Sequence, residues 1–210
     1  MLRHKHADVL SRFPKVGGKF YVFGGCGASG RLSDLWCFTP GVGGGSWEEL
    51  PCSPTVCGRG GSCLAAHGGK LYVATGFDGK TELGDAHEFD VATKTWRKLG
   101  DDALPPRSVA ACGVLTSPLR LVVFGGEAVV AEAGHAGAGK FRSDVWALCL
   151  EESDVMSGSG WERVDVTGDD APCPRGWLAS TAVGGGAALA VHGGNTNSND
   201  RVSDAFMLTT

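Results

Sequence analysis

The sequence is poor in signals that would commit it to a compartment or to a common reaction. No apolar run of signal-peptide length follows the basic start Met1-Leu2-Arg3-His4-Lys5-His6, and nothing approaches the ~18 apolar residues of a membrane span. This places the chain as a soluble cytoplasmic protein without a membrane partner. Charge of neither sign dominates: 19 basic and 23 acidic residues leave a net charge of −4, so no basic field exists to draw a phosphate backbone and nucleic acid is excluded as a partner. There is no Cys-x-x-Cys pair among the eight cysteines, which argues against a structural zinc site. Their spacing builds no disulfide framework either, and Cys63, Cys112 and Cys149 fall within apolar strand-like runs, where a free thiol acts as a small hydrophobe. Helical periodicity is absent over any useful length. Because Gly43-Gly44-Gly45 and Gly184-Gly185-Gly186 precede no helix, they read as turns rather than phosphate-binding loops. No serine, cysteine or histidine constellation for nucleophilic catalysis is present.

What the chain has in abundance is glycine, 34 of 210 residues, and most of it recurs in register. Leu121-Val122-Val123-Phe124-Gly125-Gly126-Glu127 is an apolar strand ending in two glycines. The pattern returns as Lys19 to Gly25, Lys70 to Gly76 and Ala188 to Gly194, with intervals of 51, 50 and 68 residues between the closing glycines. An aspartate then opens another strand: Asp34, Asp85, Asp144 and Asp204. Trp47, Trp96 and Trp161 follow in the first three copies, and Arg59, Arg107 and Arg175 lead into the next glycine strand. Four short strands per period make one propeller blade. The tryptophans are expected to fill space between blades, and His192 to be a satisfied core histidine.

The period near 50, the diglycine and the spaced aromatics resemble the kelch repeat. The fold class is therefore all-β, a kelch-type β-propeller with about four blades over residues 17–50, 59–99, 107–165 and 175–210, preceded by an N-terminal segment at 1–16. The last copy stops after its third strand and the first lacks an arginine-led strand, so the count implies a larger ring, of about six blades, with further blades encoded upstream.

One loop differs in length. From closing glycine to aspartate the copies span 9, 9, 18 and 10 residues, which puts about nine extra residues between Glu127 and Lys140. In an up-and-down blade this loop shares a face with the strands' arginine-led starts. Arg59, Arg107 and Arg175 there either bind the sulfate or carboxylate of an anionic ligand or bond to loop carbonyls. Trp177, which does not recur, is the better ligand platform, and Asn199 and Arg201 lie on the same face.

Gly-Gly-Glu followed by His-Ala-Gly-Ala-Gly, with Arg107-Ser108-Val109, Arg175-Gly176-Trp177, His192-Gly193-Gly194 and Asn199-Asp200-Arg201, is similar to the plant nitrile-specifier, thiocyanate-forming and epithiospecifier proteins. The resemblance implies a kelch propeller that diverts the unstable aglycone of glucosinolates to nitrile-type products with ferrous iron as cofactor. It implies a metal motif of glutamate, aspartate four residues on and histidine four further, which falls on Glu127, Ala131 and His135. Ala131 supplies no ligand, and the adjacent Glu132 is the nearest substitute. Two functions follow: an Fe(II)-dependent, non-hydrolytic conversion of a small sulfur-containing anion, or a scaffold for a protein partner with no catalysis.

Overall fold

The computed structural model describes residues 14–131, 139–151, 160–166 and 171–209, and among these every regular element is a strand. They form four antiparallel blades. The first is β1 (Lys15–Val16), β2 (Lys19–Gly27), β3 (Gly30–Thr39) and β4 (Ser46–Leu50), paired in that order. The second repeats it with β5 (Cys63–His67), β6 (Lys70–Phe77), β7 (Glu82–Asp90) and β8 (Thr95–Leu99). In the third, β9 (Ala111–Thr116) and β10 (Leu119–Phe124) pair onward to β13 (Val145–Cys149) and β14 (Trp161–Val164). Its long loop forms a separate ribbon of β11 (Glu127–Val129) and β12 (Lys140–Phe141). In the fourth, β15 (Arg175–Gly176) and β16 (Ala179–Val183) share one side of β17 (Ala188–Thr196), and β18 (Arg201–Leu208) takes the other. The first blade thus reaches back to Lys15, before the boundary that the repeats suggest at residue 17.

Three apolar clusters lie where blades face each other. Tyr21, Phe23 and Leu35 of the first blade meet Leu71, Val73 and Phe89 of the second. Tyr72 and Leu99 meet Val114, Leu121 and Trp161, and Val122 and Phe124 meet Leu189 and Val191. Burying one such side chain contributes about 1.5–3 kcal/mol, so contact between blades stabilises each of them. Trp96 fits the expected role: its ring packs against Phe23 of the preceding blade at 5.8 Å and Phe89 at 5.0 Å, and its Nε1 donates to the Pro51 carbonyl at 2.8 Å. Trp161 is likewise buried in the next interface. Trp47 departs from the expectation. It is 46% exposed and stacks on Phe38 of its own blade, with no other blade packed on that side among the described residues. His192 is also exposed, on the uncovered face of the fourth blade, and is not a core residue.

The diglycine has a stereochemical reason in each blade. The first position is left-handed, with φ of 64°, 58°, 64° and 67° at Gly24, Thr75, Gly125 and Gly193, a conformation that even Thr75 adopts. The second takes φ of 106°, 117°, 99° and 113° at Gly25, Gly76, Gly126 and Gly194, which L side chains rarely reach. A side chain there would also collide with the neighbouring backbone: a Cβ on Gly126 would sit 2.7 Å from the Ser108 carbonyl oxygen.

Candidate functional site

Arg59, Arg107 and Arg175 tie neighbouring blades together. Each backbone N–H donates to a carbonyl of the preceding blade, Leu32, Leu83 and Arg142 respectively, at 2.9–3.1 Å. Each carbonyl in turn accepts from the closing glycine of that blade, Gly25, Gly76 or Gly126, at 2.8 Å. The side chain turns into its own blade. Arg59 Nη1 and Nη2 donate to the two Asp85 oxygens at 2.6 and 2.9 Å, Nη1 also reaches the Thr75 carbonyl, and Nε reaches the Cys57 carbonyl. Arg107 repeats this with Asp144, Gly125 and Pro105, and Arg175 with Asp204, Gly193 and Cys173. Cys57 and Cys173 Sγ accept a further bond from Arg59 and Arg175 at 3.2 Å.

The three arginines are 0%, 0% and 2% exposed, so their guanidiniums are engaged within the blades rather than offered to a ligand. Of the two roles weighed for them, the geometry is that of the structural one. Desolvation works against Asp85, Asp144 and Asp204, yet the hydrogen bonds and charge of the paired arginine, aided by His87 at Asp85 and Trp146 at Asp144, hold all three carboxyls below the usual range.

Trp177, Asn199 and Arg201 are among the described residues. Trp177 is partly buried and left-handed, φ 58°, at the position occupied by Gly61 (φ 60°) and Val109 (φ 48°) in the two preceding blades. Its N–H donates to Val109 O at 2.9 Å, as Val109 N–H does to Gly61 O at 2.7 Å, so a backbone ladder running from blade to blade fixes where the indole starts. Asn199 accepts from Asn195 Nδ2 at 3.0 Å and from Arg201 Nη1 at 3.1 Å, leaving Arg201 exposed at the rim. His135 and Glu132 lie outside the described residues.

Glu127 is described, and it is 6% exposed. Ser108 N–H donates to its carbonyl at 2.9 Å and its own N–H to Ser108 O at 2.8 Å, which sets it directly beside the entry of the third blade. In the other blades the corresponding position after the diglycine holds Cys26, Phe77 or Asn195. The returning limb of the long loop makes room for the carboxylate: a Cβ on Gly139 would run into Glu127 Oε1 and Val129 O.

Sequence reasoning missed two neighbours. Leu83 bridges Arg107 and Ser108 bridges Glu127, so Glu82, Ser108 and Glu127 come from three different chain segments and fall in one row. Both Glu82 carboxylate oxygens are shut off from solvent without a hydrogen-bond partner of normal geometry. Burial pushes its pKa up to about 7; the Ser108 hydroxyl nearby and Arg31 pull it down, while the charges of Glu127 and Asp78 add to the rise. Arg142, on the other side of Glu127, has a buried Nε without a partner, and burial and the Arg107 charge lower its pKa. The signal available for both was a charge at a position that changes character from blade to blade: Arg31, Glu82, Phe141 and Arg201 in one column, Leu32, Leu83, Arg142 and Val202 in the other.

Among the described residues no group of three or more His, Cys, Asp or Glu side chains is placed to hold a metal ion. Two carboxylates, one of them with orphaned oxygens, nevertheless lie near each other where the long loop begins. No helix of the described residues is long and apolar enough to cross a membrane.

Comparison with known proteins gives this arrangement relatives. Residues 3–126 match the model of the KLHDC2/KLHL20/DRC7 Kelch-repeats domain. Over 89% of its length the chain is 28% identical to an N-(sulfonatooxy)prop-2-enimidothioate sulfolyase of Thlaspi arvense, covering 58% of that protein. It is 27% identical to Adagio-like protein 1 of Oryza sativa subsp. japonica over 91% of the chain and 31% of the relative. A solved structure described as that of YjhT superposes with a TM-score of 0.71 at 17% identity, covering 93% of this chain and 64% of that one, which speaks for the fold alone. The chain thus spans between about a third and three fifths of the length of these two curated relatives.

Proposed function

The chain belongs to the kelch-repeat family, and from that premise we propose that it binds a small sulfur-containing anion on its long-loop face and converts it with Fe(II) held at Glu127. One observation carries this reading. A carboxylate is 6% exposed at the head of the long loop, and a glycine on the loop's return leaves it room. Glu127, with His135 and Glu132 of the same loop, would hold the metal, which supplies Lewis-acid stabilisation of a leaving anion.

The chain's own residues do the rest. Arg142 stands next to Glu127 with donor capacity left over, suited to the oxygens of a sulfonatooxy group of the kind named in the Thlaspi arvense relative. As that group departs as sulfate with the electron pair of its N–O bond, the C–S bonding pair becomes the third C–N bond of the nitrile and the sulfur leaves at the zero-valent level, so that no outside oxidant is needed; a guanidinium beside the sulfate stabilises the charge that develops. Trp177 supplies a flat apolar surface for the organic part of the ligand. A cytoplasmic location belongs to the same reading.

The test is anaerobic incubation of the purified chain with Fe(II) and an N-sulfonatooxy thioimidate, with products followed by gas chromatography and mass spectrometry. The expected outcome is a shift toward nitrile-type product that Glu127→Gln abolishes. A product mixture identical to the uncatalysed one would overturn the enzymatic reading. The second reading, a protein-binding scaffold, is favoured by Ala131, which puts a methyl group where the specifier motif has a carboxylate, and by the comparable match to Adagio-like protein 1.

A further inference from the structure

The two ends of the row of blades are unlike each other. On the fourth blade, the cross-strand rows Ala179, His192, Ala205 and Thr181, Ala190, Met207 point away from the cluster that packs on the third. They line an open groove of about 390 Å³, with Met207 58% exposed at its side. On the first blade, Tyr21, Phe23, Leu35 and Cys37 face the second, so alternation turns the rows Phe20, Phe38, Trp47 and Val22, Trp36 the other way. Among the described residues no further blade packs on either side. One end is a floor of small side chains and the other a bed of aromatic rings.

The chain already joins two such faces. Where the second blade meets the third, Cys63, Ala74 and Ala86 receive Leu121, Leu148 and Trp161. By offset from the repeat's arginine, glycine and aspartate, Ala179, His192 and Ala205 stand at the positions of Cys63, Ala74 and Ala86. Phe20, Phe38 and Trp47 stand at those of Leu121, Leu148 and Trp161. The small half of a blade contact is thus uncovered at one end and the large half at the other.

We propose that the fourth blade docks, head to tail, on the first blade of a second copy of this chain. The two faces differ, so the contact is heterologous, and two copies that make it twice close a ring of eight blades, within the range of propellers. Pairing two fourth blades would set alanine against alanine and leave both grooves unfilled. The pairing requires no ligand at Glu127.

The experiment is sedimentation velocity and light scattering of the purified chain over a wide concentration range, with Ala190→Arg on the fourth blade and Val22→Arg on the first. Met207→Arg and Trp47→Arg are second variants of the same faces, and circular dichroism melts verify that each folds. The wild type should run at twice the chain mass of 21.7 kDa. Each variant alone should raise the dimer Kd about 30-fold or more, the scale of a hot spot. Mixing Ala190→Arg with Val22→Arg should restore a dimer, because one of its two contacts then has both faces intact. A wild type that is monomeric at every concentration, or a dimer that folded variants leave unchanged, overturns the proposal. A dimer that the variants break and mixing does not rescue is joined by like faces, which also overturns it. Larger oligomers broken by the same variants uphold the head-to-tail contact and overturn the closed pair.

Discussion

Removing the carboxylate of Asp85 is the sharpest test of how the blades are held. In the native chain it accepts two bonds from Arg59, at 2.6 and 2.9 Å, and one from His87 Nε2 at 2.8 Å. Asp85→Ala leaves the fully buried Arg59 guanidinium with carbonyl and thiol partners only, an uncompensated charge away from water. Breaking a buried pair by deleting one member costs about 3–5 kcal/mol. The Asp85 side chain is 24% exposed, so water relieves some of this and the lower end, about 3 kcal/mol, is the expected loss. The same change at Asp102, whose partner Lys98 is also on the surface, is the control and should cost under ~1 kcal/mol. Asp144→Ala, with a 16% exposed side chain, should match or exceed Asp85→Ala, and Asp204→Ala, at 45%, should cost less. Urea unfolding monitored by tryptophan fluorescence gives the comparison directly. If Asp85→Ala costs no more than Asp102→Ala, the arginines do not hold the blades and their burial needs another cause.

Two further outcomes are expected. Because the carboxyls of Asp85, Asp144 and Asp204 are held below the ordinary aspartate range, the folded chain binds fewer protons than the unfolded one as pH falls through that range. The stability they contribute is present above about pH 4 and lost below it. The urea midpoint should therefore fall below pH 4, less steeply in Asp85→Asn than in the wild type; an equally steep fall in both would contradict the assignment. Gly126→Ala should destabilise by more than the roughly 1 kcal/mol of an ordinary left-handed strain, since φ is 99° and the new Cβ also meets Ser108 O and Ala110. Guanidinium melts of that variant against Gly185→Ala, whose Cβ meets nothing, separate collision from backbone strain.

The blade was legible in the chain because every feature that defines it is local. Alternating apolar residues, a closing glycine at a tight strand end, and an aspartate that follows it nine or ten residues on in three copies and 18 in the other recur within one supersecondary unit. Position after the diglycine was equally readable, so Glu127 stood out at once as a carboxylate where other blades have Cys26, Phe77 or Asn195.

The roles of Arg59, Arg107 and Arg175 were not readable in the same way. Each aspartate partner lies 26, 37 or 29 residues away, and only pairing of the first and third strands across the second decides whether a guanidinium meets it or a ligand. Trp47 and Trp161 share a sequence context but not an environment, because burial depends on whether another blade stands on that side. Glu82 depended most on tertiary structure. Its own blade gives it no partner, and its closeness to Glu127 exists because the entry of the third blade bridges both. Periodicity within the chain therefore determined the blade and the position of its special residues. The packing of one blade on the next decided which charges are neutralised inside the fold and which are left facing a common space, since that outcome depends on distances between strands that no local pattern encodes.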